Sequence, residues 1–587
     1  MLVMEKSLSE YLSLAEKLVL TSHKKQIKIG FLSSFTINGL PEIIKVKCDE
    51  IETSCQTYLG GYDQYNQEIL DSNSQLYKFK PDITFLFLDI RSVLNDFFYF
   101  PYSFNQKDKK NLIDKKVLEL VNLARIFAKN SSSKLIISNL HIPFFSPYGI
   151  AEATSKFGFH DTITYFNTQL KEKIQEIENV IIFDFNGFVT KYGEENIFNY
   201  QNYFFGDIKI SLNFIPYLGN HLISYVIAFL GLTKKCIILD LDNTLWGGII
   251  GEDGLDGIQL GPQPPGNSFL EFQKHLKAFS QRGIILAINS KNNFDDAMNV
   301  INNHPNMLLK KDDFSSIVIN WGDKVQNIRE IANQLNIGLD SMVFFDDDPV
   351  NRDYVRRELS QVHVPEMPSD PSEYSKILLS LNDFSAFEIT SEDTSRKKMY
   401  SEQKQRLELE NTSSSLTDFL KTLNLKVIIK KANSFTIPRI SQLTLKTNQF
   451  NLTTKRYQKD TIEKFSSDEK ILVGCAQVLD KFGDNGITGV FIIKKETSKE
   501  WILDSFLLSC RIMGRQIENV IMNYVIEEAK KNKIEIIKSK FIPTEKNSPI
   551  ENFLPSCGFD KEGDYWIYHV EKPFKSPDFV NVEVTNV

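Results

Sequence analysis

Short, uniformly apolar runs separated by longer amphipathic stretches set the rhythm of the first two-thirds of the chain. "QIKIGFLSSFT" from Gln26, "PDITFLFLDI" from Pro81, "SKLIISNL" from Ser133 and "NVIIFDFNGF" from Asn179 each read as a strand, with helical patterns between them. A strand without polar alternation is buried on both faces, which is the pattern of a parallel sheet covered by helices on either side. A second series of the same kind begins at Lys235, with "CIILDLD", "GIILAINS" and "SMVFFDDD" as its strands. A charged stretch, "EITSEDTSRKKMYSEQKQRLELENTSSS", then reads as an exposed helix running into a polar linker. Beyond it, "LKVIIKK", "ITGVFIIKK" and "WILDSFLLS" with a long helix from Arg515 give an α+β pattern. The predicted organisation is an α/β unit over 1–232, a second over 233–387, a helical linker over 388–415 and an α+β unit over 416–587.

Composition changes this picture little. The chain of 587 residues is too long for one core. Its net charge of −7, from 68 basic and 75 acidic residues, argues against general nucleic-acid affinity. Six cysteines without a CxxC pair point to reduced thiols and to neither a disulfide framework nor a zinc site. Charges interrupt the N-terminal "MLVMEKSLSEYLSLAEKLVL", so it reads as an amphipathic helix and not a signal peptide. The longest apolar run, "LISYVIAFLGL" from Leu222, is too short to span a bilayer. The expectation is a cytoplasmic chain with no membrane partner.

What ends each strand of the second series carries chemistry. The first ends in Asp240-Leu-Asp242-Asn-Thr244, the second in Ser290 and the third in Asp346-Asp347; "NWGDKVQNIREIANQL" between the last two is an amphipathic helix with Lys324 near its start. Neighbouring carboxylates repel and resist desolvation, so something must compensate Asp240 and Asp242. Carboxylates from two strand ends suit magnesium, which takes hard oxygen ligands. One carboxylate is then free to attack phosphorus while a second moves protons, with Ser290 and Lys324 on the phosphoryl oxygens.

D-L-D-N-T-L-W, then Ser, then Lys, then D-D resembles the four ordered motifs of the haloacid-dehalogenase (HAD) phosphatase superfamily. That resemblance implies Asp240 as nucleophile, Asp242 as general acid/base and Thr244 as support of the turn. It implies magnesium held by the Asp240 side chain, the Asp242 backbone carbonyl and Asp347, with Asp346 assisting. The segment "WGGIIGEDGLDGIQLGPQPPG" is long enough for a flap and too short for a cap domain. "LDLDNTLWGGIIGEDG", "INSKNN", "NWGDKVQNI" and "FFDDDPVNR", followed by "LTLKTNQFNLTTKRY" from Leu443, look like the FkbH-like branch. The likeness runs from about Lys235 to Phe559 and reaches the N-terminal unit in organisation more than in residues. Members of that branch take a three-carbon unit from 1,3-bisphosphoglycerate, remove its phosphate and load it onto an acyl carrier protein.

"FLLSCRIMGRQIENVIMNYVIEEAKK" places Cys510 and Arg511 where a strand meets a helix, and Arg511-x-x-Gly514-x-Gln516 resembles the phosphate-binding turn of acetyltransferase-like (GNAT) folds. Gln516 departs from that pattern, which has Gly or Ala there. Cys510 is a candidate acyl-carrying thiol, activated by a helix N-terminus and Arg511; burial as a space-filling residue is the competing reading. Asn448, Gln449 and Asn451 are candidates to line a substrate groove, with a hydrogen-bonded surface turn as the alternative. "KIGFLSSFT", with Ser33 and Ser34, resembles the start of SGNH-type (flavodoxin-like) hydrolase folds. Asp89-Ile-Arg91 stands where that family has Asn, and Asp207 and His221 lack its D-x-x-H spacing, so a non-hydrolytic docking or scaffolding unit is expected. The resulting expectation is a magnesium-dependent phosphatase and acyl transferase serving a carrier protein. Its rivals are a stand-alone phosphatase and a non-catalytic scaffold.

Overall fold

The computed structural model describes residues 5–18, 23, 25–389, 399, 402, 406, 409, 415–544 and 546–585. They form two compact units, Met1–Val226 and Ile227–Val587, and the second holds two separate sheets. Most of the predicted linker 388–415 lies outside the described residues. No helix among the described residues is long and apolar enough to cross a membrane.

The first unit is built on five parallel strands: β1 (Lys25–Ser33), β2 (Thr53–Leu59), β3 (Ile83–Phe87), β4 (Lys134–Ser138) and β5 (Val180–Phe183). Their order, β2-β1-β3-β4-β5, is the flavodoxin-like doubly wound arrangement. Every residue of β3 is buried, as expected for a central strand covered on both faces. Strand β2 went unpredicted: "TSCQTYL" is polar and only partly buried, because it sits at the sheet edge.

In the second unit, β6 (Cys236–Leu239), β7 (Ile285–Ser290), β8 (Phe314–Ile319) and β9 (Met342–Phe345) form a parallel sheet in the order β8-β7-β6-β9. Side chains alternate strictly between two cores. Ile237, Leu239, Leu286, Ile288, Val343 and Phe345 enter one; Cys236, Ile238, Ile285, Ala287, Met342 and Phe344 enter the other. The apolar strand runs therefore have a direct cause, since both faces are inside. Chain order reverses between β6 and β9, so the crevice beyond their carboxyl ends is the topological switch point where doubly wound sheets bind ligands.

The remaining strands, β10 (Lys426–Lys431), β11 (Phe450–Asn451), β12 (Ile471–Asp480), β13 (Gly483–Lys495), β14 (Glu500–Leu508), β15 (Ile536–Ser539), β16 (Asp560–Glu562), β17 (Tyr565–His569) and β18 (Asn581–Thr585), make one mixed sheet. It is antiparallel from β10 through β12 and β13 to β14, and turns parallel at the β14–β15 pair. This is the α+β part of the chain. Its long helix begins at Ile517, two residues later than the sequence predicts, because Gln516 takes a left-handed conformation at φ 60°.

Burial on both faces of β6 has a measurable consequence. Ile237→Ala and Ile238→Ala should each cost about 2–5 kcal/mol, read by denaturant unfolding of the second unit. A large cost for one and a negligible cost for its neighbour would contradict the two-faced sheet.

Candidate active site

Two strand tips are tied before any side chain enters the site. The Asp240 N–H donates to the Phe345 carbonyl at 3.0 Å, which joins the end of β6 to the end of β9. The chain after Leu239 then turns sharply, with Asn243 in the left-handed region (φ 54°) and the Leu245 N–H closing back onto the Leu241 carbonyl at 2.8 Å. Asn supports this turn because it tolerates that conformation better than most residues. Gln273, fully buried, holds the loop from behind by donating to the Leu245 carbonyl at 2.9 Å and accepting from the Leu308 and Leu309 N–H groups.

Asp240, Asp346 and Asp347 converge here, with one carboxylate oxygen from each within 4.8 Å of the others. Lys324 reaches them from the start of the helix Lys324–Leu335, its Nζ 2.8 Å from Asp240 Oδ2 and also bonded to Asp346 Oδ2. Asp323 caps that helix by accepting from the Val325 and Gln326 N–H groups at 2.8 and 3.0 Å, which fixes where the lysine stem begins. The Asp346-Asp347 loop is anchored by buried Arg352, whose guanidinium donates to both of their backbone carbonyls at 2.9 and 2.6 Å. Thr244 joins the two acidic loops: its hydroxyl contacts Asp347 Oδ1 at 3.4 Å and accepts from the Asp347 N–H at 3.2 Å. Ser290, at the tip of β7, is buried and accepts the Asn320 N–H on its carbonyl.

The Asp242 carboxylate lies outside this cluster. Its Oδ1 accepts from Trp246 Nε1 at 2.8 Å and the Ile250 N–H at 3.2 Å, and its Oδ2 accepts from Asn292 Nδ2 at 2.8 Å. Asp242 is thus not a side-chain member of the cation cluster, in keeping with a metal contact through its backbone alone. Trp246, Asn292 and Arg352 were not singled out in the sequence. Asn292 stands two residues after Ser290 in "INSKNN", and that placement is the signal that a second role at the strand tip was available.

Electrostatics follow from burial. Desolvation raises the Asp347 carboxyl to about 6, with the charges of Asp240 and Asp346 pushing the same way. Asp346 and Asp242 are also raised, chiefly by desolvation and then by Asp240 among other groups. Burial alone would lower the Lys324 ammonium, yet Asp240 and Asp346 outweigh it and the lysine is held above its usual range. One lysine faces three carboxylates, and buried Asp240 Oδ1 has no hydrogen-bond partner. An orphaned anionic oxygen at a cluster of hard oxygen donors is what a magnesium site requires, so the residues present fit that ion.

The flap predicted after Trp246 is pinned at its base, where Gly247 and Gln259 exchange backbone hydrogen bonds of 3.0 and 2.8 Å. Between them runs only a short helical stretch, Ile250–Gly257, broken at Gly254.

The predicted acyl-handling residues are not brought to this cluster. Cys510 lies in a single 3-10 turn, Cys510–Ile512, and packs half-buried against the core beneath the helix Lys324–Leu335, its carbonyl accepting from Asn336. The helix that follows starts at Ile517, seven residues after Cys510 in the chain. Arg511 contacts Ser509 Oγ at 3.4 Å and the Met399 sulfur. Gly514 is left-handed, with open space where a side chain would start. Asn451 does not line a groove: it is fully buried, donates to the Thr447 carbonyl at 3.2 Å and accepts the Thr454 N–H at 2.9 Å. Asn448 accepts from Arg456, which also caps the Thr444 and Leu445 carbonyls ending the helix Ile437–Lys446. Gln449 is half-buried and makes no side-chain hydrogen bond among the described residues.

In the first unit the Ser34 hydroxyl accepts the Asp89 N–H at 2.7 Å. His221 contacts Tyr192 at 3.3 Å and Asp207 accepts from Tyr62, so neither of these candidate bases is hydrogen-bonded to Ser33 or Ser34 among the described residues.

With this geometry established, comparison with known proteins places the chain. The sequence profile of the FkbH N-terminal domain matches residues 29–227. The solved N-terminal part of the protein BF1531 from Bacteroides fragilis, described as containing a phosphatase domain complexed with Mg, is 33% identical at a TM-score of 0.59. It aligns with 65% of this chain and 99% of its own. The chain belongs to the FkbH-like family. The profile match falls on the N-terminal unit, whose resemblance to the family lies in organisation more than in residues. The FkbH-like chain is thereby an enzyme of phosphatase type. Two acetyltransferases also align with about a quarter of it: a putative GNAT-family enzyme from Desulfovibrio desulfuricans (10% identity, 24% of this chain, 99% of that chain, TM-score 0.20) and the ribosomal-protein-S18-alanine N-acetyltransferase from Escherichia coli (12%, 24%, 90%, 0.20). A search of curated proteins gave no match.

The charge balance predicts how the FkbH-like site responds to losing its lysine. Lys324→Ala should cost the cation-free second unit about 3–5 kcal/mol, because Asp240 and Asp346 stay buried without compensation. In thermal melts, added Mg²⁺ should then stabilise the variant more than the parent. An equal response in both would contradict the reading of Lys324 as a counter-charge in the cation site.

Proposed function

We propose that the FkbH-like chain is a magnesium-dependent phosphatase acting on a phosphorylated three-carbon acid, a phosphoglyceryl unit from 1,3-bisphosphoglycerate, and that it passes the acyl group to the phosphopantetheine arm of an acyl carrier protein. The observation that carries the phosphatase part is the unpartnered, buried Asp240 Oδ1 beside Asp346, Asp347 and Lys324. The ion would be held by the Asp240, Asp346 and Asp347 carboxylates and the Asp242 carbonyl, and when bound it neutralises the substrate's and the site's negative charge. Asp240 is the nucleophile toward phosphorus: of its two carboxylate oxygens one would face the ion and the other the phosphorus, with Lys324 beside them as counter-charge. Lys324 holds a positive charge where phosphoryl oxygens gather negative charge, and Ser290 faces the same tip from β7. Asp242 is the proton carrier. Burial raises its pKa, and because two N–H donors hold Oδ1, the proton rides on Oδ2, the oxygen with the single Asn292 contact.

Acyl transfer is the finer part of the proposal and rests on the family and on the GNAT-like sheet. The rival reading, a phosphatase without acyl transfer, is favoured by one observation: Asn448 and Asn451 are spent on their own loop. A pure scaffold would have no use for buried Asp240 and Asp346 with half-buried Asp347 around one lysine, which are costly to maintain.

Asp240→Asn should lower phosphate release from 1,3-bisphosphoglycerate by at least about 10³-fold while the unfolding midpoint stays near that of the parent. Undiminished turnover would remove the aspartyl-phosphate route. Incubating the enzyme with Mg²⁺, that substrate and a pantetheinylated carrier protein should add one glyceryl mass to the carrier. No mass gain would leave the stand-alone phosphatase. Cys510→Ser divides the remaining cases, since full loading by that variant assigns Cys510 to packing.

A further inference from the structure

A cavity lies in the first unit, and no residue of the acidic cluster lines it. It has a volume of about 480 Å³ and opens among the segments that follow β3, β4 and β5. This is the carboxyl edge of a doubly wound sheet, where such folds bind ligands, and the volume falls within the usual range for small-molecule sites. Its wall is mainly apolar and aromatic, with Phe98, Phe159, Phe198 and Tyr203 among the lining residues.

The polar groups of the cavity differ in how fully they are engaged. Asp89 and Lys209, both buried, form an ion pair at 3.1 Å, and Asp89 also accepts the Arg91 N–H at 2.9 Å. Glu194 accepts the Phe144 N–H at 2.7 Å and contacts the Tyr200 hydroxyl at 3.5 Å. Arg91 is different. Its guanidinium stacks 4.5 Å from the Tyr203 ring centre and within 6 Å of Phe98, Tyr200 and Phe204, and it pairs with no carboxylate among the described residues. Stacking engages the face of a guanidinium and leaves its edge able to grip a carboxylate with two parallel N–H bonds.

His141 is the second observation. It is 96% buried, lines the cavity and has no hydrogen-bond partner among the described residues; its ring meets Phe185 and Phe198 at their edges. Desolvation, then Lys209 and Arg91, hold its pKa well below the usual range, so it presents a neutral imidazole with one donor and one acceptor. A buried polar group without a partner calls for one.

We propose that this cavity binds a small organic monocarboxylate with an aromatic or aliphatic body, its carboxylate gripped by Arg91 and its body lying between the aromatic walls, with His141 completing the polar contacts. Monoanionic charge follows from the balance of the wall. Arg91 and Lys209 face Asp89 and Glu194, so a dianionic phosphate would meet two carboxylates for one open cation. The site is independent of the phosphatase reading.

Isothermal titration calorimetry of the full chain with 4-phenylbutyrate tests it, alongside 4-phenylbutyramide, 4-phenylbutylamine and inorganic phosphate. We expect saturable 1:1 binding of the carboxylate, at least tenfold weaker binding of the amide, and none of the amine or phosphate. Arg91→Gln should weaken the carboxylate at least tenfold with an unchanged melting temperature, and Arg91→Lys, which keeps charge but loses the fork, should fall between. No binding of the carboxylate up to millimolar concentration, equal affinity for carboxylate and amide, or tighter binding of phosphate would each overturn the proposal. The carboxylate–amide comparison needs no variant and so stands even if substitutions at Arg91 unfold the unit.

Discussion

Negative charge packed against apolar strand tips is the constraint around which the second unit is organised. Asp346 is fully buried and Asp240 nearly so, and bare carboxylates there would resist desolvation. Lys324 supplies one compensating charge through direct contacts to both. The arrangement of the surrounding loops serves the same end: Arg352 holds the carbonyls of the Asp346-Asp347 pair, Thr244 joins the loops after β6 and β9, and Gln273 braces the turn behind them. Each contact restricts where the carboxylates can move, so their mutual repulsion is met by a fixed geometry that an ion completes. A site preorganised in this way does not have to rearrange as charge develops on phosphorus.

The two units use one architectural rule for different chemistry. The sheet of the first unit and the four-stranded sheet of the second are both parallel, with the ligand crevice at the carboxyl edge. In the second, that edge is acidic with a single lysine, suited to a hard cation and a phosphoryl group. In the first it is aromatic, with a stacked arginine and a buried neutral histidine, suited to an apolar body with one negative end. Loops set the function in each case while the sheet supplies the frame.

Much of this was legible in the residues because the two signals involved are local. Continuous apolar runs mark strands buried on both faces, and the alternate burial of Cys236–Leu239 in two cores is the physical form of that signal. Carboxylates directly after such runs mark a site, because a strand end is where a charge escapes full burial. What escaped was non-local or context-dependent. β2 and β8 mix polar residues into the strand pattern, as "TSCQTYL" and "FSSIVI" show. Asn451 and Asn448 look like groove residues in a polar run, yet their hydrogen bonds run to Thr447, Thr454 and Arg456 within the same loop. The helix expected beside Cys510 is delayed by the left-handed Gln516, a conformation that propensity does not forecast. The pocket around Arg91 draws on segments more than a hundred residues apart in the chain, which no sequence window spans.

Crystals of the full chain soaked in Mn²⁺ and measured at the manganese absorption edge address the central claim most directly. The account predicts one strong anomalous peak within bonding distance of the Asp240, Asp346 and Asp347 carboxylates, with Lys324 still contacting Asp240. A site without a peak, or an ion bound elsewhere while these three carboxylates remain as they are, would contradict it.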